Sequence, residues 1–362
     1  MINGDWLERR DSEYLLVLRA LSIFVIVFGH VGGFWFFPPW SEFLQVFVPI
    51  FFFISGAVSY NSFIRSKSTI QYLKKRIFGI LVPYYCICIF SLLVYLIVNR
   101  SLPAVSVVNI MKWLTITPDA SVMVFPLGQV WFLHTLLIIC LVSPLFFDLY
   151  KKRSVLLLLF ILFAIIVSSL QVTYKISPYF VILGSNLFKP IVHSLFFCLG
   201  FIMFDSQRIR SHYFSIAAVI SSSVLSYFLV TKLALNPDYE FHAYAPDIYY
   251  VAGSLCAIWL CILAQPFLMK IYDKFKLIQS PVQFFFRHTF AIYLLHSFAI
   301  YFVEKNFDLV HPQQKTIAYG IIKLITVFTL TLAISPTFTK LSSLIYQKLL
   351  FAAKRTNEEA AV

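Results

Sequence analysis

Arg19 and His30 are ionisable residues in an otherwise apolar stretch that runs from about residue 14 to 34. Eleven residues make three helical turns with about 20° left over, so on a helix the two would share a face about 16 Å apart along the axis. They cannot touch, but they can line one pathway. The guanidinium, always charged, suits anion binding, and the imidazole, titrating near neutrality, suits proton exchange. The plainer alternative is a snorkelling arginine and an interfacial histidine.

Other polar groups interrupt apolar runs. Thr289, Tyr293 and His296 fall at i, i+4 and i+7, one face of a helix, and should point inward because a polar stripe facing lipid is costly. Binding a substrate and tying helices together are both open to that face. His134, His193 and Lys323 also lie within apolar runs. His134 follows Trp131 closely and is the one expected to line a site, whereas Lys323 has no evident partner in the sequence. His288, beside Arg287, reads as interfacial. Ser55 is a candidate nucleophile, but it precedes Gly56, and a small-residue helix contact is the preferred reading. The six cysteines all sit in apolar runs without a C-x-x-C pair and read as small core residues. No H-x-x-x-H or carboxylate spacing suggests a metal site, and no glycine-rich phosphate loop appears.

The elements that must position these residues follow from composition. Only 12% of residues are charged and 60% are hydrophobic, with 40 Phe and a mean hydropathy of +0.83. A soluble domain carries about 25% charged residues. The excess of apolar side chains needs lipid, so the fold class is an all-α polytopic membrane protein. Stretches of about 20 apolar residues place spans near 14–34, 43–63, 78–98, 129–148, 154–171, 187–204, 213–231, 248–269, 284–303 and 316–335, the last running on toward Tyr346. This predicts a bundle of about ten transmembrane helices.

The net charge of +13 reports topology rather than nucleic-acid binding. Lys and Arg cluster on alternate sides, at Arg9–Arg10, Arg65–Arg76, Lys151–Arg153, Arg208–Arg210, Lys270–Arg287 and Lys340–Arg355. These segments hold 20 basic residues against 7 on the opposite side, so both termini are expected in the cytoplasm. The first apolar stretch follows the charged segment Asp5–Glu13, contains Arg19 and lacks a small-residue cleavage site, so it should remain as a helix. Residues 1–350 read as a single membrane domain and 351–362 as a disordered cytoplasmic tail. The external segment Val105–Leu114 has apolar residues at helical spacing and is expected to lie in the interface.

The sequence L-R-A-L-S-I-F-V-I-V-F-G-H (Leu18–His30) followed by V-P-I-F-F-F-I-S-G (Val48–Gly56) resembles the amino-terminal signature of the acyltransferase 3 family, integral-membrane O-acyltransferases of bacterial surface glycans. Further matches come in family order: K-K-R-I-F-G-I-L-V-P-Y-Y (Lys74–Tyr85), V-W-F-L (Val130–Leu133), F-F-C-L-G (Phe196–Gly200) and T-F-A-I-Y-L-L-H (Thr289–His296). Each string is weak alone; six in order span nearly the whole chain. Three features depart from the pattern. Leu16 stands where an acidic residue usually precedes the arginine, with Glu13 one turn further back. Thr289 replaces the commoner serine but keeps a hydroxyl. The sequence shows no carboxy-terminal esterase-like domain of the kind that some members carry, so transfer is expected to be completed by the membrane domain.

The resemblance implies transfer of an acyl group, usually acetyl, from cytoplasmic acyl-coenzyme A to a sugar hydroxyl of a surface polysaccharide or its lipid-linked precursor. The host would be the bacterial cytoplasmic membrane. Acetyl-coenzyme A would serve as co-substrate, with no bound cofactor. The partners implied are the glycan acceptor and membrane lipids, and no nucleic acid. His30 would be the general base and Arg19 a donor-positioning group. Lys74, Lys75 and Arg76 would meet the donor phosphates, as an alternative to simple positive-inside anchoring. Trp131, His134, Thr289, Tyr293 and His296 would bind substrate. The competing class is a transporter of a small acylated or acidic metabolite, since intramembrane Arg, His and Lys also line carriers.

Overall fold

Every long apolar run becomes a helix, because in lipid the backbone must satisfy its own hydrogen bonds. The computed structural model describes residues 7–31, 40–101, 106–116, 130–182, 185–206, 210–307 and 317–359. Its α-helices are α1 (Arg9–Val31), α2 (Phe47–Ile64), α3 (Thr69–Asn99), α4 (Val107–Leu114), α5 (Val130–Lys152), α6 (Ser154–Tyr174) and α7 (Phe188–Asp205). They continue with α8 (His212–Lys232), α9 (Tyr239–Ala243), α10 (Ile248–Lys274), α11 (Lys276–Arg287), α12 (Thr289–Phe307) and α13 (Ile317–Glu359). A two-residue hairpin, β1 (Val181–Ile182) with β2 (Ser185–Asn186), pairs antiparallel. Among the described residues nine helices are long and apolar enough to cross a membrane, and the shorter apolar stretch Thr289–Glu304 is a tenth candidate. The chain is an all-α polytopic membrane protein.

Three expected boundaries move. The third span, expected from residue 78, is helical from Thr69, where the Ser68 side chain accepts a hydrogen bond from the Gln71 N–H. Its 31 residues reach about 46 Å, well beyond a hydrocarbon core of about 30 Å, so the basic cluster rides on helix rather than loop. The ninth span, expected from 284, breaks at His288: α11 ends at Arg287 and α12 begins at Thr289. The tenth, expected to run on past 335 toward Tyr346, goes further, through Pro336 to Glu359, as a single 43-residue helix. Residue 316, where it was expected to begin, lies outside the described residues, as do Asp5, Val105, Arg208 and residues 360–362.

The structure falls into two compact units, Met1–Ser66 with Val142–Arg287 and Lys67–Leu141 with His288–Val362. In the first, α2 and α7 make the closest approach. The strings F-F-I-S-G and F-F-C-L-G place Gly56 and Gly200 reciprocally: a Cβ on Gly56 would lie 1.9 Å from the Phe197 carbonyl oxygen, and one on Gly200 1.9 Å from that of Phe53. Small residues let helix backbones meet in this way. Around the contact Phe52, Phe53, Phe147, Phe196, Phe197 and Phe201 are fully buried. Because the obstacle is backbone, no rotamer relieves it. Gly56→Ala and Gly200→Ala are each expected to destabilise the protein by about 1–3 kcal/mol or more, read as a lowered Tm of the detergent-solubilised protein.

The first unit is also tied across its helix ends. The Tyr14 hydroxyl donates to the Cys261 carbonyl at 2.6 Å, and Arg10 pairs with Asp273 at 2.6 Å. At α9, His242 Nδ1 lies 2.5 Å from Asp247 Oδ2, while Asp247 Oδ1 caps α10 by accepting from the Tyr249 and Tyr250 N–H groups. In the second unit α12 packs on α13 and both pack on α3, with Phe90 and Phe298 edge to face at 5.2 Å.

Candidate active site

Arg19 and His30 both lie on α1 in the first unit, three turns apart as the spacing predicts. The Arg19 guanidinium carbon is 5.6 Å from the ring centroids of both Phe51 on α2 and Phe286 on α11. Two aromatic faces therefore hold a planar cation, an arrangement open to arginine and poorly matched by an ammonium. Glu13, the carboxylate one turn back, is engaged elsewhere, 3.1 Å from Arg9 and 3.5 Å from Arg10. Phe51 belongs to the Phe-rich string after Val48, and Phe286 ends the run Phe284–Phe286 of the amphipathic α11. Sequence reasoning missed Phe286, and the triple Phe beside a polar helix face was the available signal.

His30 occupies the last turn of α1 and is half-buried. Ser55, also half-buried, sits directly before the Gly56 contact. His193 is set into the first unit's core: its Nδ1 is 2.8 Å from the Lys189 carbonyl, its Nε2 3.4 Å from the Tyr250 hydroxyl, and its ring 4.6 Å from that of Phe52.

In the second unit, Thr289, Tyr293 and His296 share one face of α12 and all are buried, so the stripe points inward. The His296 Nδ1 lies 3.2 Å from the Ile292 carbonyl; a carbonyl only accepts, so that nitrogen carries its proton. The Tyr293 ring packs at a tilt against Phe132 at 5.2 Å and against His296 at 5.8 Å. The V-W-F-L string of α5 and the T-F-A-I-Y-L-L-H string of α12, about 160 positions apart in the chain, thus meet in one aromatic cluster. Trp131 and His134 flank it on α5, both half-buried.

Lys323 has its partner in Glu304, 2.5 Å away on α12. The lysine is 3% exposed, so the pair answers the cost of a charge in an apolar span. His288 Nδ1 bonds Thr339 Oγ1 at 2.9 Å, tying the start of α12 to α13 within the second unit. In the basic cluster at the start of α3, Lys75 is exposed, while Lys74 and Arg76 are half-buried. The Arg76 guanidinium lies 5.7 Å from the Tyr72 ring.

The candidate residues therefore divide between the units: Arg19, His30 and Ser55 in the first, the basic cluster and the aromatic cluster with its histidines in the second. A search of curated proteins and one of solved structures found no match. A family model described as "Acyltransferase domain" matches residues 12–336, which include the Arg19–His30 helix, the basic cluster, both strings of the aromatic cluster and the reciprocal glycines. The chain belongs to the acyltransferase 3 family and is a membrane acyltransferase.

Proposed function

We propose that the protein moves an acyl group, acetyl in the first instance, from acyl-coenzyme A to a hydroxyl of a bacterial surface polysaccharide or its lipid-linked precursor at the cytoplasmic membrane. The family match over residues 12–336, with Arg19 and His30 three turns apart on α1, carries this reading. His30 takes the proton of the sugar hydroxyl as that oxygen attacks the thioester carbonyl. The tetrahedral intermediate collapses, the C–S bond breaks, and the coenzyme A thiolate leaves and recovers the proton from the imidazolium. Arg19, clamped between Phe51 and Phe286, positions the donor through hydrogen bonds to its phosphate or amide oxygens. The buried face of Thr289, Tyr293 and His296, with Trp131 and His134, contributes substrate contacts.

The test is transfer by purified protein of label from acetyl-coenzyme A onto a glycan acceptor. Label found on the glycan supports the reading; solute movement across vesicles without transfer replaces it with a transporter.

The basic cluster should act on the donor. Replacing Lys74, Lys75 and Arg76 together with glutamine is expected to weaken the apparent affinity for acyl-coenzyme A more than that for the acceptor, at equal membrane levels of protein. An unchanged donor affinity returns the cluster to anchoring. The bias of 20 basic residues against 7 supports both termini in the cytoplasm, so reporter fusions after Arg153 and after Lys232 should read inside and outside respectively.

A further inference from the structure

A cavity of about 280 Å³ opens in the first unit between the start of α8 and the second half of α10, lined by Arg210, His212, Ser215, Ile262, Gln265 and Pro266 among others. None of its residues belongs to the candidate site above. Two of its polar atoms are buried without a hydrogen-bond partner among the described residues, Arg210 Nε and Ser215 Oγ. Ser215 is 0% exposed. A buried donor left unmade is costly, and here two belong to residues that line one space beside the amino terminus of a 21-residue helix, whose partial positive charge favours an anion.

The charge of the site limits the ligand. Arg210 Nη1 donates to Asp11 Oδ1 at 2.8 Å, and Gln265 Nε2 donates to the same oxygen at 3.1 Å. Phe204 lies under the guanidinium at 4.8 Å. Asp11 thus neutralises part of the arginine and fixes its plane, which suits a singly charged oxyanion better than a dianion. Pro266 has no N–H, so the Ile262 carbonyl lacks its usual helical donor, and both residues line the cavity. A ligand with a hydroxyl beside its anion would meet that acceptor. The surroundings are apolar and outward-facing: Tyr213 is 87% exposed, Phe267 65% and Phe214 50%, the profile of helix faces turned to lipid near the end of a span.

We infer that this cavity binds the phosphodiester headgroup of an anionic, hydroxyl-bearing phospholipid such as phosphatidylglycerol. One oxyanion oxygen accepts from Arg210 Nε and another from Ser215 Oγ, with the acyl chains lying along α8 and α10. The site is separate from acyl transfer and does not depend on it.

The test uses the full-length protein in detergent, titrated with dihexanoyl phosphatidylglycerol in one arm and inorganic phosphate in the other, with thermal stabilisation and lipid retention in native mass spectrometry as readouts. Saturable stabilisation by the lipid, with weaker stabilisation by phosphate, is the expected result. Equal or stronger stabilisation by phosphate would overturn the headgroup assignment in favour of a free anion. Ser215→Ala, which removes only a hydroxyl, should weaken lipid binding by about three- to tenfold, and Arg210→Gln by about tenfold or more. If Arg210→Gln fails to fold because Asp11 loses its partner, Asp11→Asn supplies the second measurement: it removes the competing carboxylate and should hold or tighten lipid binding. Undiminished binding by Ser215→Ala, or no lipid response in the unmodified protein, overturns the site.

Discussion

The His30→Ala protein is expected to insert and fold normally, to bind acyl-coenzyme A, and to lose acyl transfer by about 10²- to 10⁴-fold, the range of a missing general base. Folding should survive because His30 stands half-buried in the last turn of α1, whereas the packed centre of that helix lies further back, at Leu18, Ile23 and Val27, all fully buried. Donor binding should survive because the groups assigned to the donor, Arg19 and the basic cluster of α3, are left in place. The measurement is donor affinity and glycan acylation on the same purified variant, beside its elution profile in size-exclusion chromatography. Full acylation by His30→Ala removes His30 as the general base and assigns the proton transfer to another group.

The spans were legible because a bilayer enforces a length: each apolar run of about 20 residues had to become a helix, and basic residues between the runs separated them. What the hydropathy pattern could not resolve lay at the ends. α3 begins at Thr69 because Ser68 caps it, and a cap is a local hydrogen bond with no hydropathy signal. The run 284–303 concealed a boundary because Phe284, Phe285 and Phe286, which belong to an amphipathic helix, are as apolar as the span that follows. Within the site, i to i+7 spacing on α12 was enough to place Thr289, Tyr293 and His296 on one buried face. The contacts that cross between helices were not readable: Glu304 against Lys323, Phe132 against Tyr293, and Phe286 against Arg19 depend on which helices pack together. The reciprocal glycines are intermediate. Both F-F-x-x-G strings were visible, but only the packing of α2 on α7 shows that Gly56 faces the Phe197 carbonyl and Gly200 that of Phe53.

Arg19 is where the sequence reading and the packing bear on each other most directly. The resemblance would have a carboxylate near this arginine, yet Leu16 stands at that position and Glu13 pairs with Arg9 and Arg10. In the structure two phenyl faces, Phe51 and Phe286, lie against the guanidinium. An aromatic clamp fixes the plane of the cation, and a guanidinium held in one plane presents a fork of donors that suits the phosphate or amide oxygens of the donor. Arg19→Ala is therefore expected to lose donor binding, with acyl transfer falling in step as donor affinity falls. Arg19→Lys should restore it only in part, because an ammonium keeps the charge but lacks the planar fork of donors and the flat face that Phe51 and Phe286 grip. Phe286→Leu gives a sharper version of the same test. It preserves apolar volume on α11, leaves Arg19 charged, and should weaken donor binding by less than Arg19→Ala, since a desolvated cation–π contact is worth about 2 kcal/mol. The measurement is the dissociation constant for acyl-coenzyme A across Arg19→Ala, Arg19→Lys and Phe286→Leu. A graded loss in the order Ala, Lys, Leu supports a clamped donor-binding arginine, and full donor affinity in Arg19→Ala assigns the residue to packing of α1 against α2 and α11.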